Sequence, residues 1–101
     1  MEDIVKVVID AIEDKKGLDI KVYDLRGKSP FFDYSILCTG SSTRNVDAIV
    51  QELKKAMPVV KGIEGQEEAN WVLIDGGDVL VSVFTRDARN YYKLDEFYES
   101  V

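Results

Sequence analysis

The sequence predicts an α/β (α+β) domain, a mixed sheet of about five strands with flanking helices. Three observations carry this. Apolar periodicity switches between helical and alternating spacing in the order helix, strand, strand, helix, weak strand, strand, strand, helix. Gly76-Gly77 separates two apolar runs as a hairpin turn would. A chain of 101 residues gives one domain, 1–101, with room for one core.

Ile4, Val5, Val8, Ile9 and Ile12 recur at helical spacing with charges between them, and Gly17 follows Lys15 and Lys16 as at a helix C-terminus. Residues 2–16 therefore read as an amphipathic helix. Leu18, Ile20 and Val22 alternate within LDIKVYDL, a strand over 18–25. RGKSP is a turn, because Pro30 biases Ser29 toward extended geometry. Phe31, Phe32 and Asp33 lead into YSILCTG, a strand with a buried middle.

Ser41, Ser42 and Thr43 offer N-caps for a helix marked by Val46, Ile49, Val50, Leu53 and Met57, which Pro58 stops. A crossover through residues 43–57 could join parallel strands. VVKGI is a short strand, and EGQEEA an acidic loop. Thr85 or Asp87 caps a last short helix through Ala88 and Tyr92. Leu94, Phe97 and Tyr98 then form an apolar tail.

Within NWVLIDGGDVLVSVF a type I′ turn at Gly76-Gly77 would pair Asp75 with Asp78. Ile74 would then face Val79, Val72 would face Val81, and Asn70 would face Val83, an aliphatic side that reads as core. The other side would set Trp71 opposite Ser82 and Leu73 opposite Leu80, with the two aspartates side by side.

Composition narrows the function. No apolar run approaches the roughly 20 residues that span a bilayer, and the acidic, charge-rich N-terminus is not a secretory signal. A single cysteine, Cys38, excludes an internal disulfide and suits a cytoplasmic location. The net charge of −6 disfavours extensive direct contact with nucleic acid and favours a basic partner. With no histidine and one cysteine, a zinc site is discarded.

Several separate stretches then resemble one family: EDKKGLDIKVYDLRGKS, DYSILCTGSSTRNV, the EG before the hairpin, WVLIDGGDVLVSVF and RNYYKL. Their order and spacing are similar to the ribosomal silencing factor family, also called the Iojap family, from about residue 11 to residue 98. The resemblance implies a non-enzymatic factor on a nucleotidyltransferase-like fold, and no cofactor or metal is expected. It implies docking on the fourteenth large-subunit ribosomal protein, at the face where the small subunit would join. Such docking blocks subunit association and represses translation when nutrients are scarce. It also implies a homodimer when free, to which the apolar tail would contribute.

The family's docking surface carries over onto Trp71, Leu73, Asp75 and Tyr92, with Arg89 and Leu94 nearby. A tryptophan and a tyrosine among carboxylates suit a hot spot for a basic partner. Three positions depart from the family pattern. Ser82 stands where His is usual, the turn reads Asp75-Gly76-Gly77-Asp78, and Tyr98 replaces a terminal tryptophan.

Blander readings stand beside these. Trp71 could be a core residue under a helix. Asp75 and Asp78 could be turn residues whose close pairing costs a few tenths of a kcal/mol. Thr39 to Arg44 could cradle a phosphate at a helix N-terminus, but capping is the simpler role. Tyr91 and Tyr92 point about 100° apart on a helix, one inward and one exposed. Cys38 reads as an inert buried thiol. The rival function is a nucleotidyltransferase-like enzyme, suggested by Gly40-Ser41. That chemistry needs grouped carboxylates soon afterward, and the nearest acid, Asp47, falls within a predicted helix.

Overall fold

The computed structural model describes residues 3–101. The elements are α1 (Asp3–Asp14), β1 (Leu18–Asp24), β2 (Tyr34–Gly40), α2 (Thr43–Ala56), β3 (Gly62–Glu64), β4 (Trp71–Asp75), β5 (Val79–Thr85), α3 (Arg86–Tyr92) and α4 (Leu94–Glu99). The predicted α+β class, with five strands in one mixed sheet, is what forms. Sheet order is β1-β2-β5-β4-β3. Among the described residues only β2 and β5 pair in parallel; β1 with β2, β3 with β4 and β4 with β5 are antiparallel.

The first helix ends at Asp14, earlier than the expected residue 16, because Lys16 turns into the left-handed region at φ 61°. Residue 2 of that expected helix lies outside the described residues. Val5, Val8, Ala11 and Ile12 of α1 and Val46, Ile49, Val50 and Leu53 of α2 bury their stripes on one sheet face. Below them lie Ile36 and Cys38 of β2, Val72 and Ile74 of β4, and Val79, Val81 and Val83 of β5. Sandwiched between covered faces, every residue of β2 is buried. Burial also pushes the Cys38 thiol up to about 12, so it stays protonated at neutral pH.

The second sheet face has thinner cover. Leu37, Phe84 and Ala88 are buried there, with Tyr23, Trp71, Leu94 and Tyr98 packed around them. Thr85 accepts from the Ala88 amide and starts α3, as one of the two proposed caps. The expected apolar tail is a helix. Leu94 and Tyr98 fold back against this cluster, while Phe97 stays 59% exposed.

Two expected strands shift. β1 carries a bulge between Leu18 and Lys21, with Asp19 at φ 50°, and Leu25 falls beyond its end. The weak strand begins at Gly62, where the ladder to β4 starts, and Val59 and Val60 remain exposed.

The hairpin register also differs from the expected one. Asp75 pairs with Leu80, Ile74 with Val81, Leu73 with Ser82, Val72 with Val83 and Trp71 with Phe84. Asp75 and Asp78 are not cross-strand partners. The cause lies outside the hairpin: the Asp78 carbonyl accepts from the amides of Asp33 and Tyr34 at the start of β2. Gly77 alone of the glycine pair has positive φ, 88°, and donates to Asp75 Oδ1 at 2.9 Å. Gly76 closes the turn by donating to the Val79 carbonyl at 2.8 Å. The slip is two residues, an even number, so the two faces keep their expected membership.

Candidate docking surface

Phe84 is fully buried on the second face and forms the floor of an aromatic stack. The Trp71 ring lies on it, centroids 5.1 Å apart and planes 23° from parallel. Tyr92 leans on the other side of the indole at 4.8 Å, and Tyr91 meets Tyr92 edge-on at 5.0 Å. Trp71 is thus half-buried between a core ring and a surface ring. Its Nε1 is enclosed without a hydrogen-bond partner among the described residues, so stacking rather than a hydrogen bond orients it. Tyr91 and Tyr92 are 79% and 52% exposed. The expected split, one ring inward and one outward, does not occur, because seven-residue α3 buries only Ala88.

Carboxylates border this stack at the loop before β4. Glu67 and Glu68, with the amide of Gln66, line a cleft with Trp71 and Tyr92. Glu64, Gly65, Trp71 and Leu73 line a second depression. Gly65 holds the acidic loop close: at φ 87°, a Cβ there would sit 2.1 Å from the Trp71 carbonyl oxygen. None of the ion pairs among the described residues involves Glu64, Glu67, Glu68 or Asp75. No cation of the described residues therefore pairs with these carboxylates, and Asp75 accepts from the Gly77 amide.

Of the sequence-predicted residues, Trp71, Leu73 and Asp75 share one face of β4, and Tyr92 joins Trp71. Leu94 packs against the second cluster behind them. Arg89 is placed differently. Its side chain is only 11% exposed and turns inward. Nε and Nη2 donate to the two Asp95 oxygens at 2.9 and 3.0 Å, and Nη1 donates to Thr39 Oγ1 and the Asp19 carbonyl. Asp95 Oδ1 also accepts from the Tyr23 hydroxyl at 2.8 Å. These hydrogen bonds, Arg89 first, hold the Asp95 carboxyl below the usual carboxylate range. Burial and the same carboxylate push the Tyr23 hydroxyl upward. Phe84 and Asp95 are the residues that sequence reasoning missed; an apolar strand position and an acid in a tail gave no distinguishing signal.

The Gly40-Ser41 region is a helix cap. Ser42 accepts from the Asn45 amide at 3.0 Å, and Asn45 Oδ1 accepts from the Ser41 amide at 2.9 Å. Two amides of this turn, those of Ser41 and Asn45, are thereby engaged in capping. Asp47 lies in α2, away from any strand. No cluster of three or more histidine, cysteine or acidic side chains suited to a metal occurs among the described residues. No helix among them is long and apolar enough to cross a membrane.

Fold and site together define a small α+β domain that presents an aromatic stack rimmed by free carboxylates. Comparison with known proteins then gives the family. All of residues 1–101 match the model for "ribosomal silencing factor during starvation". The chain is 41% identical over 101 residues to the ribosomal silencing factor RsfS of Bacillus subtilis, covering 96% of this chain and 86% of the relative. It is 38% identical to that of Halalkalibacterium halodurans, with the same coverage. A crystal structure of a Chromobacterium violaceum protein superposes with a TM-score of 0.90 at 38% identity, covering 98% of this chain and 88% of that one. A Bacillus halodurans structure gives 0.84 at 39% identity, covering 93% and 91%. The chain belongs to the ribosomal silencing factor family.

Proposed function

We propose that this protein binds the large ribosomal subunit through its fourteenth ribosomal protein and blocks joining of the small subunit. Translation is thereby repressed under nutrient limitation. The action is steric, needs no catalysis or cofactor, and takes place in the cytoplasm, where subunits meet.

The observation that carries this reading is the Trp71–Tyr92 pair, supported from below by Phe84 and bordered by unpaired carboxylates. A rigid aromatic pair loses little entropy on binding, and its hydrophobic centre excludes water from the surrounding charges. Unpaired Glu64, Glu67, Glu68 and Asp75 complement a basic ribosomal protein and speed its capture. Within this reading Trp71, Leu73, Asp75 and Tyr92 meet the partner, while Arg89 and Leu94 support them from behind. The free protein is proposed to be a homodimer, with exposed Phe97 as one apolar contact.

Sedimentation with purified subunits tests the proposal. The protein should pellet with large and not small subunits, and should reduce whole-ribosome formation from separated subunits. Equal binding to both subunits, or normal joining at saturating protein, would overturn it.

A further inference from the structure

Tyr92 ends a helix that is too short to hold itself. Isolated helices below about 12 residues are marginal in water, and seven-residue α3 buries only Ala88. Just after Tyr92 the backbone passes through Lys93 at φ 54° and ψ 39°. This left-handed conformation disfavours a side-chain-bearing residue. The next helix, α4, has no buried residue and no side-chain cap bond at its start. Local preferences alone therefore leave Tyr92 and the bend after it weakly fixed.

The Arg89–Asp95 pair spans this bend. Arg89 lies one turn before Tyr92 on α3, so the two side chains are neighbours along the helix. Its guanidinium fork grips Asp95 beyond the bend, while Nη1 reaches Thr39 on β2 and the Asp19 carbonyl at the β1 bulge. Asp95 is itself held by Tyr23 on β1. Tyr98 stacks on Tyr23 at 5.2 Å and ties down the far end of α4. One ion pair thus joins α3 and α4 to the two strands at the β1 edge.

We propose that the Arg89–Asp95 pair is a clasp that positions Tyr92 against Trp71, making Asp95 a positioning residue for the docking surface. Asp95 acts through Arg89 and Tyr92 rather than by touching the partner. The inference rests on the docking reading above, but the clasp itself has a readout that needs no ribosome. Trp71 is the sole tryptophan, so its near-ultraviolet circular dichroism reports the packing of Tyr92 on it.

The test compares Asp95→Asn and Tyr23→Phe, each in the native and the Tyr92→Ala background. Asp95→Asn keeps the side chain's shape and removes the charge that Arg89 grips. It should weaken the Trp71 dichroism and reduce affinity for large subunits about tenfold, within the range of coupling between contacting residues. In the Tyr92→Ala background the same change should alter affinity by less than about twofold, because the positioned ring is gone. Should Asp95→Asn fail to fold, Tyr23→Phe decides: it removes one bond to Asp95 and keeps the ring that stacks on Tyr98. It should shift both readouts the same way by a smaller amount. Unchanged dichroism, or an equal affinity loss in both backgrounds, would overturn the clasp. Failure of the unmodified protein to bind large subunits would remove the docking reading instead, with the dichroism still deciding the clasp.

Discussion

The indole of Trp71 rests on the fully buried ring of Phe84, 5.1 Å away and nearly parallel to it. The contact joins the surface to the core, since Phe84 belongs with Leu37 and Ala88 in the second buried cluster. A surface aromatic on such a floor has few rotamers left to lose when a partner arrives.

That relationship gives a first expected outcome. Phe84→Ala should lower stability by about 3–5 kcal/mol, as for a fully buried aromatic. Phe84→Leu fills more of the space and should cost less, while still leaving Trp71 without its flat support. Urea unfolding monitored by Trp71 fluorescence would rank the two variants.

The acidic rim should act through charge. Asp75→Asn keeps the Oδ1 acceptor for the Gly77 amide, so the hairpin turn should survive. Glu67→Gln with Glu68→Gln removes two charges from the cleft wall without touching an ion pair. Both changes should weaken binding to large subunits more at low salt than at high salt, because screening already blunts these charges above ~0.1 M ionic strength. Equilibrium binding across a salt series measures this.

Acid should loosen the C-terminal helices. The Asp95 carboxyl is held below its ordinary value by Arg89 and Tyr23. A depressed folded value means its contribution to stability is fully present above the unfolded carboxylate range, about pH 4. That contribution is lost as pH falls through the lower folded value. Hydrogen exchange within α4 should accelerate in this window, and Asp95→Asn should flatten the dependence.

Self-association should depend on the exposed C-terminal aromatic. Phe97 is 59% exposed on a helix whose other large apolar residues, Leu94 and Tyr98, pack inward. Light scattering at micromolar concentration should show a dimer for the native chain, and Phe97→Ser should shift it toward monomer.

Much of the fold was legible in local signals. The cap candidates Ser41, Ser42 and Thr43, of which Ser42 caps, and the stripe Val46, Ile49, Val50 and Leu53 located α2 because both are read within a few residues. The two faces of the hairpin were legible because side-chain alternation survives an even slip. The register was not, since it depends on Asp33 and Tyr34 claiming the Asp78 carbonyl from another strand. Nor was α4: Lys93 in a left-handed bend has none of glycine's signature, and the Arg89–Asp95 grip across the bend is held by distant Asp19, Thr39 and Tyr23. The same hidden grip turned Arg89 inward, where the family resemblance set it beside the docking surface.

The most direct measurement is the affinity of large subunits for Tyr92→Ala and Trp71→Ala, with thermal unfolding followed on the same samples. Tyr92 is half-exposed, so its truncation separates docking from folding better than that of the more enclosed Trp71. The docking account predicts that each change weakens binding by about 2 kcal/mol or more, roughly 30-fold in dissociation constant, while Tyr92→Ala unfolds within a few degrees of the native protein. A Tyr92→Ala protein that binds large subunits with native affinity, beside a Trp71→Ala protein that fails only because it unfolds early, would contradict it.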